Sequence, residues 1–376
     1  MGERAEYERE EATKDDVEIE QIKAEDEDYE SAPPQYLIAT YPADFTLEVL
    51  YSKWKAGDIE IPPFQRKFVW KIGQSSKLIE SFLCGLPVPA IYLYTDRASQ
   101  KHLVIDGQQR LKSIFYFFEG FFGEEARRKR TVFRLEGLSD KSEWTGKSFE
   151  DFDDAGKRRL RNSVLRSFIV QQLDPEDDTS IYHIFERLNT GGTLLTNQEV
   201  RNCVYGGKLN NLLIDLNNNT DWRLILGKSK PDSRLKDIEL MVRFFAFNYN
   251  FSNYEKPQKD FLSKFMKRNR NPSDEYMRQL REVFEKTCKT IISALGNKPF
   301  HVRTGLNSAV YDSVMVAFAK HLDQVTTNVK EKYTTLLRNE NFLRFTSDHT
   351  TDVETVRERF ALANSILFEE GPNETR

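Results

Sequence analysis

The sequence predicts an α+β protein, with a mixed α/β domain over residues 35–230 and a mainly α-helical domain over residues 231–370. Short apolar runs of strand length alternate with helix-patterned segments in the first part of the chain. From residue 235 onward, apolar residues recur mainly at helical spacing. With 376 residues, the chain is long enough for two or three domains.

The elements of the first domain follow from apolar spacing and from Pro and Gly. Helices are predicted at 46–56, 76–86 and 111–118, the second ending at Gly85 and Pro87. The predicted strands are 59–61, 90–94, 101–105, 133–135 and 167–173.

The later elements are mainly helices. One is predicted from 179 to 188 and closed by the polar segment 189–192, and another starts near Thr196. Further helices are indicated by apolar residues at 238–245, 277–295 and 306–318.

Charge separates the first residues from the rest. The chain has 55 basic and 59 acidic residues, and residues 1–30 hold 4 and 14 of them. The remaining 51 basic and 45 acidic residues give the body a net charge of +6. Residues 1–34 are therefore predicted to be an acidic, disordered tail with a Pro-containing linker at 31–41. The tail either solubilises the protein or competes with nucleic acid for a basic surface.

The composition disfavours several classes of protein and of binding site. No apolar run approaches the ~20 residues that a membrane span needs. Cys84, Cys203 and Cys288 lie far apart, which disfavours a disulfide framework and a thiolate zinc site. We expect a cytoplasmic protein without a membrane partner.

Clusters of basic residues make DNA an expected partner, since such clusters neutralise phosphates. Each cluster alone is also typical of a solvated surface. Three clusters carry this expectation: Arg127, Arg128 and Arg130; Arg158 and Arg159; and the basic residues of 264–270.

The strongest candidate site is the segment Val104-Ile105-Asp106-Gly107-Gln108-Gln109-Arg110-Leu111. An apolar strand ends at an acid, a glycine permits unusual backbone angles, and a helix begins. The start of a helix favours phosphate, and an arginine adds paired donors for phosphate oxygens. The acid could hold Mg²⁺ or orient a water molecule. The alternative is a strand–turn–helix connection with a purely structural role.

A second candidate is Ile61-Pro62-Pro63-Phe64-Gln65-Arg66, in which Gln65 and Arg66 lie beside aromatic residues. Such a segment suits base stacking and phosphate contact, or it is a proline-bounded surface loop.

A third candidate is Phe185-Glu186-Arg187-Leu188-Asn189-Thr190-Gly191-Gly192, continuing to Glu199. Thr196 and Glu199 have the spacing of a helix capping box. Asn189 and Thr190 could face a ligand.

Other familiar sites are absent from the sequence. There is no GxxxxGK[ST], GxGxxG or GxSxG motif. The five histidines are scattered, which disfavours a histidine–metal nuclease site.

Together, IPPFQRKFVW, LIESFLCGLPVPAIYL, VIDGQQRL and FERLNTGGTLLTNQEVR resemble the N-terminal domain of GmrSD-type modification-dependent restriction systems. The resemblance implies a ParB/sulfiredoxin-like fold for the first domain and a role in bacterial defence against phage or foreign DNA. It covers about residues 45–210, and the later RLKDIELMVRFFAF and TSDHTTDVETVRERF resemble the helical continuation of such proteins.

The resemblance also implies nucleoside triphosphate hydrolysis with Mg²⁺ at the DGQQR segment. Carried onto this chain, Asp106, Gln108, Gln109 and Arg110 are the expected catalytic residues, with Asp106 as the candidate metal ligand. The expected nucleotide- and phosphate-binding residues are Gln65, Arg66, Gly107, Arg110, Asn189 and Thr190.

Many relatives also carry an HNH-type nuclease domain with a DxHIxP-like motif, which this sequence lacks. A separate nuclease partner is therefore expected, and a homo-oligomer is left open. Three readings remain: a hydrolase that senses DNA or licenses a partner, a binding module without turnover, and a direct nuclease acting through Asp106.

Overall fold

The computed structural model of the chain describes residues 37–61, 68–96, 100–123, 131–173, 184 and 196–369. They divide into two compact units, one within residues 35–195 and one whose described part is residues 196–369. The first unit contains the main β-sheet and the second is mainly helical, so the predicted order of a mixed α/β domain and a helical domain is confirmed.

The division between the units falls at residues 195 and 196, whereas the sequence placed it at 230. The helices between these two positions pack into the helical unit. For example, the ring of Trp222 meets that of Phe284 at a centroid distance of 5.4 Å. The loop near residue 230 therefore connects two helices of the same unit.

The described strands of the first unit are β1 (Ile38–Thr46), β2 (Ile59–Glu60), β3 (Ile91–Thr95), β4 (His102–Asp106), β5 (Phe121–Phe122), β6 (Thr131–Val132) and β7 (Val164–Gln172). Five of them form the main sheet, in the order β1-β7-β3-β4-β2. Strand β7 is antiparallel to β1 and parallel to β3, whereas β4 is antiparallel to β3 and parallel to β2.

Strand β1 begins inside the segment that the sequence assigned to a linker. It pairs with β7 along its whole length, and Pro42 lies opposite Phe168. Proline lacks a backbone N–H, so it is tolerated in an edge strand, where one side of the strand needs no hydrogen bonds. The prolines therefore suggested an irregular segment where the chain in fact forms an edge strand.

Four helices of the first unit contribute buried residues to one hydrophobic core with the sheet: α1 (Leu47–Ala56), α2 (Ile72–Cys84), α3 (Gln108–Glu119) and α4 (Asp154–Asn162). Helix α1 starts where the Thr46 side chain accepts a hydrogen bond from Val49 N, and it ends at Gly57 in the left-handed conformation. The hydrophobic core combines these helices with the inward residues of the strands, such as Leu93, Val104 and Leu165.

The predicted strand at 133–135 is wrong. The neighbouring residues Thr131–Val132 form the short strand β6, and Phe133 and Leu135 follow it in an irregular segment. Both side chains are buried in the core. Because alternate residues of this irregular segment are buried, its apolar residues have the two-residue spacing that is typical of a strand.

The helical unit consists of α5 (Asn197–Val204), α6 (Lys208–Leu216), α7 (Thr220–Leu226), α8 (Lys236–Asn250), α9 (Gln258–Arg268), α10 (Asp274–Leu295), α11 (Ser308–Lys320), α12 (Val329–Arg338), α13 (Glu340–Phe345) and α14 (Val353–Phe368). Helix α11 is almost entirely buried and lies between α8, α10 and α14. Among the helices described, none is long and apolar enough to cross a membrane.

Candidate functional site

The turn between β4 and α3 requires a glycine. Gly107 has a φ of +102°, in the region that residues with side chains rarely adopt. A Cβ atom at this position would lie 2.2 Å from Cγ2 of Ile91. Gly107 is the N-cap residue of α3 and has no side chain that could cap the helix. The backbone at the end of β4 is therefore closely packed against Ile91.

Asp106 and Arg110 form an ion pair across this turn. Arg110 Nη2 donates to Asp106 Oδ2 at 2.7 Å and to the carbonyl oxygen of Ala90 at 3.1 Å. Asp106 is the last residue of β4, and Ala90 directly precedes β3. The guanidinium is thus fixed by contacts to the ends of two neighbouring strands.

The ion pair leaves hydrogen-bonding capacity unused within the described part of the chain. Arg110 Nε is buried there without an acceptor, and the hydrogen bonds to Asp106 and Ala90 both use the same nitrogen, Nη2. The side chains of Arg110 and Asp106 are 17% and 38% exposed. The pair is therefore fixed in position and still accessible to a ligand.

Gln109 holds a neighbouring segment. Its Oε1 atom accepts hydrogen bonds from Val69 N at 3.0 Å and Trp70 N at 3.2 Å. One amide oxygen thus serves two backbone donors of the segment that follows residues 62–67. Gln108, the first residue of α3, is 8% exposed. The two amides of the motif therefore have different environments.

Next to Asp106, a row of residues crosses the sheet. Tyr92 of β3 lies opposite Asp106 on one side and opposite Phe168 of β7 on the other. The rings of Tyr92 and Phe168 stack, with centroids 5.3 Å apart and planes at 22°. Both residues are half-buried. Sequence reasoning missed this pair because each residue was counted only as part of an apolar strand.

Several candidate residues from the sequence lie outside the described residues. They are Gln65, Arg66, Arg127, Arg128, Arg130, Asn189 and Thr190. The predicted tail at 1–34 and, apart from Ile184, the predicted helix at 179–188 lie outside them as well.

The predicted capping box is present at the start of α5 in the helical unit. The Thr196 side chain accepts from Glu199 N, and Glu199 Oε2 accepts from Thr196 N at 2.6 Å. Burial raises the pKa of Glu199, an effect that Arg234 at 3.2 Å opposes. Arg201, which is 1% exposed, donates to Glu239 of α8 at 2.7 Å. This segment anchors α5 to its own unit.

The basic residues of α4 divide into paired and exposed ones. Lys157 contacts Glu150 at 2.8 Å, and Arg161 contacts Glu48 at 3.2 Å. Arg158 and Arg159 are exposed, and no ion pair to either is found among the described residues. These two arginines are available to an external anion.

Arg270 of the 264–270 cluster donates from Nε to the carbonyl oxygen of Gly206 at 2.8 Å, whereas Lys264 and Arg268 are exposed.

The described residues contain no group of three or more His, Cys, Asp or Glu side chains that could hold a metal ion. His102 lies at the other end of β4 from Asp106, and its Nδ1 is 2.9 Å from Thr95 Oγ1. Burial lowers the pKa of His102, assisted by Lys53 and opposed by Asp58.

Comparison with known families gives one match. Residues 47–206 match the family model described as the GmrSD restriction endonuclease, N-terminal domain. No curated protein matches the chain. The matched range begins at α1, includes the β4–α3 turn and ends just after α5.

Proposed function

Residues 47–206 of this chain are a GmrSD-type restriction endonuclease N-terminal domain, and from that premise we propose that the domain binds a nucleoside triphosphate at the β4–α3 turn and hydrolyses it. Hydrolysis would act as the DNA-dependent switch of an anti-phage restriction system. The ParB-like relationship and the separate nuclease subunit inferred from the sequence remain parts of this proposal.

The observation that carries the proposal is the partly accessible guanidinium of Arg110, which Asp106 and Ala90 hold at the β4–α3 turn. One nitrogen is held by Asp106 and Ala90, while Nε has no acceptor within the described residues. A positioned guanidinium with unused donors is well suited to phosphate oxygens. A fixed cation also stabilises developing negative charge without reorganising during the reaction.

The start of α3 supports the same location for phosphate. The first N–H groups of a helix have no partners inside it and carry a partial positive charge. Gly107 supplies no capping side chain, and Leu111 N is the donor that closes the first turn onto Gly107 O at 2.9 Å. The backbone of this turn and Arg110 would therefore bind phosphate together.

Asp106 is suited to a magnesium ion that the phosphates of the nucleotide also bind. It is less suited to an ion that protein groups alone would hold. Mg²⁺ is often bound by one or two carboxylates, several waters and the phosphates of the substrate. One oxygen of Asp106 accepts from Arg110, and 38% of its side chain is exposed. Asp106 would hold the ion through its other oxygen, and the ion would neutralise phosphate charge.

The two glutamines would have separate tasks. Gln109 positions the segment beginning at residue 68, because its oxygen is already bonded to Val69 N and Trp70 N. Gln108 would orient the attacking water. Gln65, Arg66, Asn189 and Thr190 would complete the nucleotide contacts, as the family resemblance implies.

Arg158 and Arg159 are the described residues that we propose for DNA contact. Both are exposed on α4. Arginines that bind phosphates give an affinity that falls with salt concentration. Arg127, Arg128 and Arg130 would extend this contact.

A non-catalytic adaptor is the second candidate. It is favoured by the engagement of both Asp106 Oδ2 and Gln109 Oε1, because few described groups then remain to activate water. In that case the site would bind nucleotide or DNA and regulate a separate nuclease.

Phosphate release from ATP, GTP, CTP and UTP with Mg²⁺, with and without DNA, tests the proposal. We expect turnover with at least one nucleotide and a loss of about 100-fold or more in Arg110→Ala, as for other donors to developing charge. Arg134→Ala is the matched control, because Arg134 also bonds one aspartate and one carbonyl, Asp151 at 2.8 Å and Gly146 at 2.9 Å. Nucleotide binding without phosphate release would favour the adaptor, and absence of both would refute a nucleotide site.

A further inference from the structure

The ring pair of Tyr92 and Phe168 adjoins the phosphate-binding groups. Arg110 Nη2 contacts the carbonyl of Ala90, two residues before Tyr92, and the carboxylate of Asp106, directly opposite Tyr92. Residues opposite each other in an antiparallel pair have Cβ atoms about 4.5–5.5 Å apart. The register shifts between Tyr92 and Leu93, and Asp106 is the residue of β4 paired with Tyr92 beyond that shift, so a ligand held by Arg110 lies close to Tyr92.

These rings lie on the face of the sheet away from the hydrophobic core. Ile91 and Leu93, on either side of Tyr92 in the chain, are fully buried in that core. Because successive strand residues point to opposite faces, Tyr92 and its cross-strand neighbour Phe168 point to the other face. Both rings are half-buried, so part of their surface is accessible.

The stack of rings ends at β4. The centroid distance of 5.3 Å is close to the spacing of about 4.8 Å between strands, so each strand contributes one ring. The residue of β4 paired with Tyr92 is Asp106, which follows a register shift in the β3–β4 ladder and whose carboxylate cannot continue the stack. On this side, the ring of Tyr92 has no aromatic neighbour among the described residues.

We propose that Tyr92, supported by Phe168, forms the base-stacking subsite for the nucleobase of the bound nucleoside triphosphate. This inference rests on the proposed function, since it takes the phosphates to lie at Arg110. Stacking uses the flat face that every base has, so the subsite contributes affinity without selecting one base by hydrogen bonding. Purines should benefit most because their ring system is larger.

Binding measurements on the full chain separate this subsite from the phosphate site. The ligands are a nonhydrolysable ATP analogue, inorganic tripolyphosphate and a single-stranded oligonucleotide. We expect Tyr92→Leu to weaken the binding of the ATP analogue by roughly 5- to 100-fold, the usual range for loss of one stacked base. The binding of tripolyphosphate should stay unchanged, whereas Arg110→Ala should weaken both.

Two further variants guard against an effect on folding. Tyr92→Phe keeps the ring and should bind the analogue within about 2-fold of wild type, since stacking needs the ring alone. Tyr41→Leu is the matched control, because Tyr41 is an exposed tyrosine of the same sheet. It lies opposite Ile169 and is therefore not part of the row that contains Tyr92 and Phe168. If Tyr92→Leu does not fold, Tyr92→Trp is used. The tryptophan fluorescence that this variant adds to that of wild type should be quenched by the analogue.

Each other outcome has a definite meaning. Equal binding of the analogue by wild type and Tyr92→Leu, or unquenched emission of Tyr92→Trp while binding persists, would overturn the subsite and leave the phosphate site intact. Weakened binding of the oligonucleotide alone would overturn it in favour of a DNA base. If wild type bound neither the analogue nor tripolyphosphate, the proposed function would fail, and the subsite with it.

Discussion

Each of the two units contains an arginine–aspartate pair, and the two pairs have different environments. In the first unit, Arg110 and Asp106 are 17% and 38% exposed and share one short contact of 2.7 Å. In the helical unit, Arg243 and Asp312 are 9% and 0% exposed and form two contacts, of 3.0 and 2.6 Å. The same chemical groups thus meet in an accessible and in a buried setting.

The buried pair has a second buried arginine beside it. Arg359 lies 4.0 Å from Asp312 and donates to the carbonyl oxygens of Phe345 at 3.1 Å and Thr350 at 2.9 Å. Burial lowers the pKa of Arg359 to about 10, and Asp312 opposes this effect. These contacts join α8, α11 and α14, so we interpret the cluster as structural.

The comparison teaches that an ion pair indicates a site only when a ligand can reach it. Residue type alone does not distinguish the two cases. Exposure and the number of contacts within the pair do, whereas an unpaired Nε does not, because Arg359 Nε of the buried cluster also has no acceptor among the described residues.

Breaking the buried pair should have the largest effect on stability. Asp312→Asn removes the charge that two buried arginines share, and loss of one partner of such a pair costs about 3–5 kcal/mol. Urea denaturation of wild type and variant measures this difference. The control is Asp274→Asn in the same unit, where the carboxylate is 87% exposed beside Lys208, and we expect a change below about 1 kcal/mol. Equal effects of the two variants would contradict a structural role for the buried cluster.

The next effect should come from Gly107→Ala. A left-handed backbone with a side chain costs about 1–2 kcal/mol, and the clash with Ile91 adds about 1–3 kcal/mol. Gly57→Ala is the matched control, because Gly57 also has a positive φ, of +77°, but a Cβ there would meet no atom within 4 Å. We expect denaturation to give a clearly larger loss for Gly107→Ala. Similar losses would mean that Ile91 moves aside and that the turn is less closely packed than described.

The smallest effect concerns the other end of β4. The pKa of His102 is lowered from its ordinary value of 6.5, so the folded protein binds fewer protons than the unfolded chain just below that pH. Its contribution to stability is therefore present above pH 6.5 and is lost as pH falls below it. In His102→Gln, the unfolding free energy should depend less on pH in this range. If the unfolding free energy of His102→Gln depended on pH in this range as strongly as that of wild type, other groups would be the cause of the dependence.

The sequence predicted those parts of the molecule that depend on local pattern. The β4–turn–α3 segment follows from apolar runs and Gly107, and the capping box at Thr196 follows from spacing alone. Strand β1 was missed because its pairing partner β7 is more than 100 residues away in the chain. Local propensity cannot reveal such a partner.

The same limit applied within the candidate site. The motif predicted Gln109 as a catalytic residue, and it did not reveal that the oxygen of Gln109 accepts from two backbone donors 39 and 40 residues earlier in the chain. The row of Asp106, Tyr92 and Phe168 depends on the register of three strands, which the pattern of each strand alone does not determine. Sequence therefore indicated the motif, and the structure supplied its neighbours.

The most direct test of the central claim is to measure both stability and phosphate release in Arg110→Ala. If the accessible pair is functional, the unfolding free energy should change by less than about 1 kcal/mol, because partly exposed pairs contribute little to stability. Phosphate release per folded molecule should fall by about 100-fold or more. A variant destabilised as strongly as Asp312→Asn, with wild-type phosphate release from its folded fraction, would contradict the account.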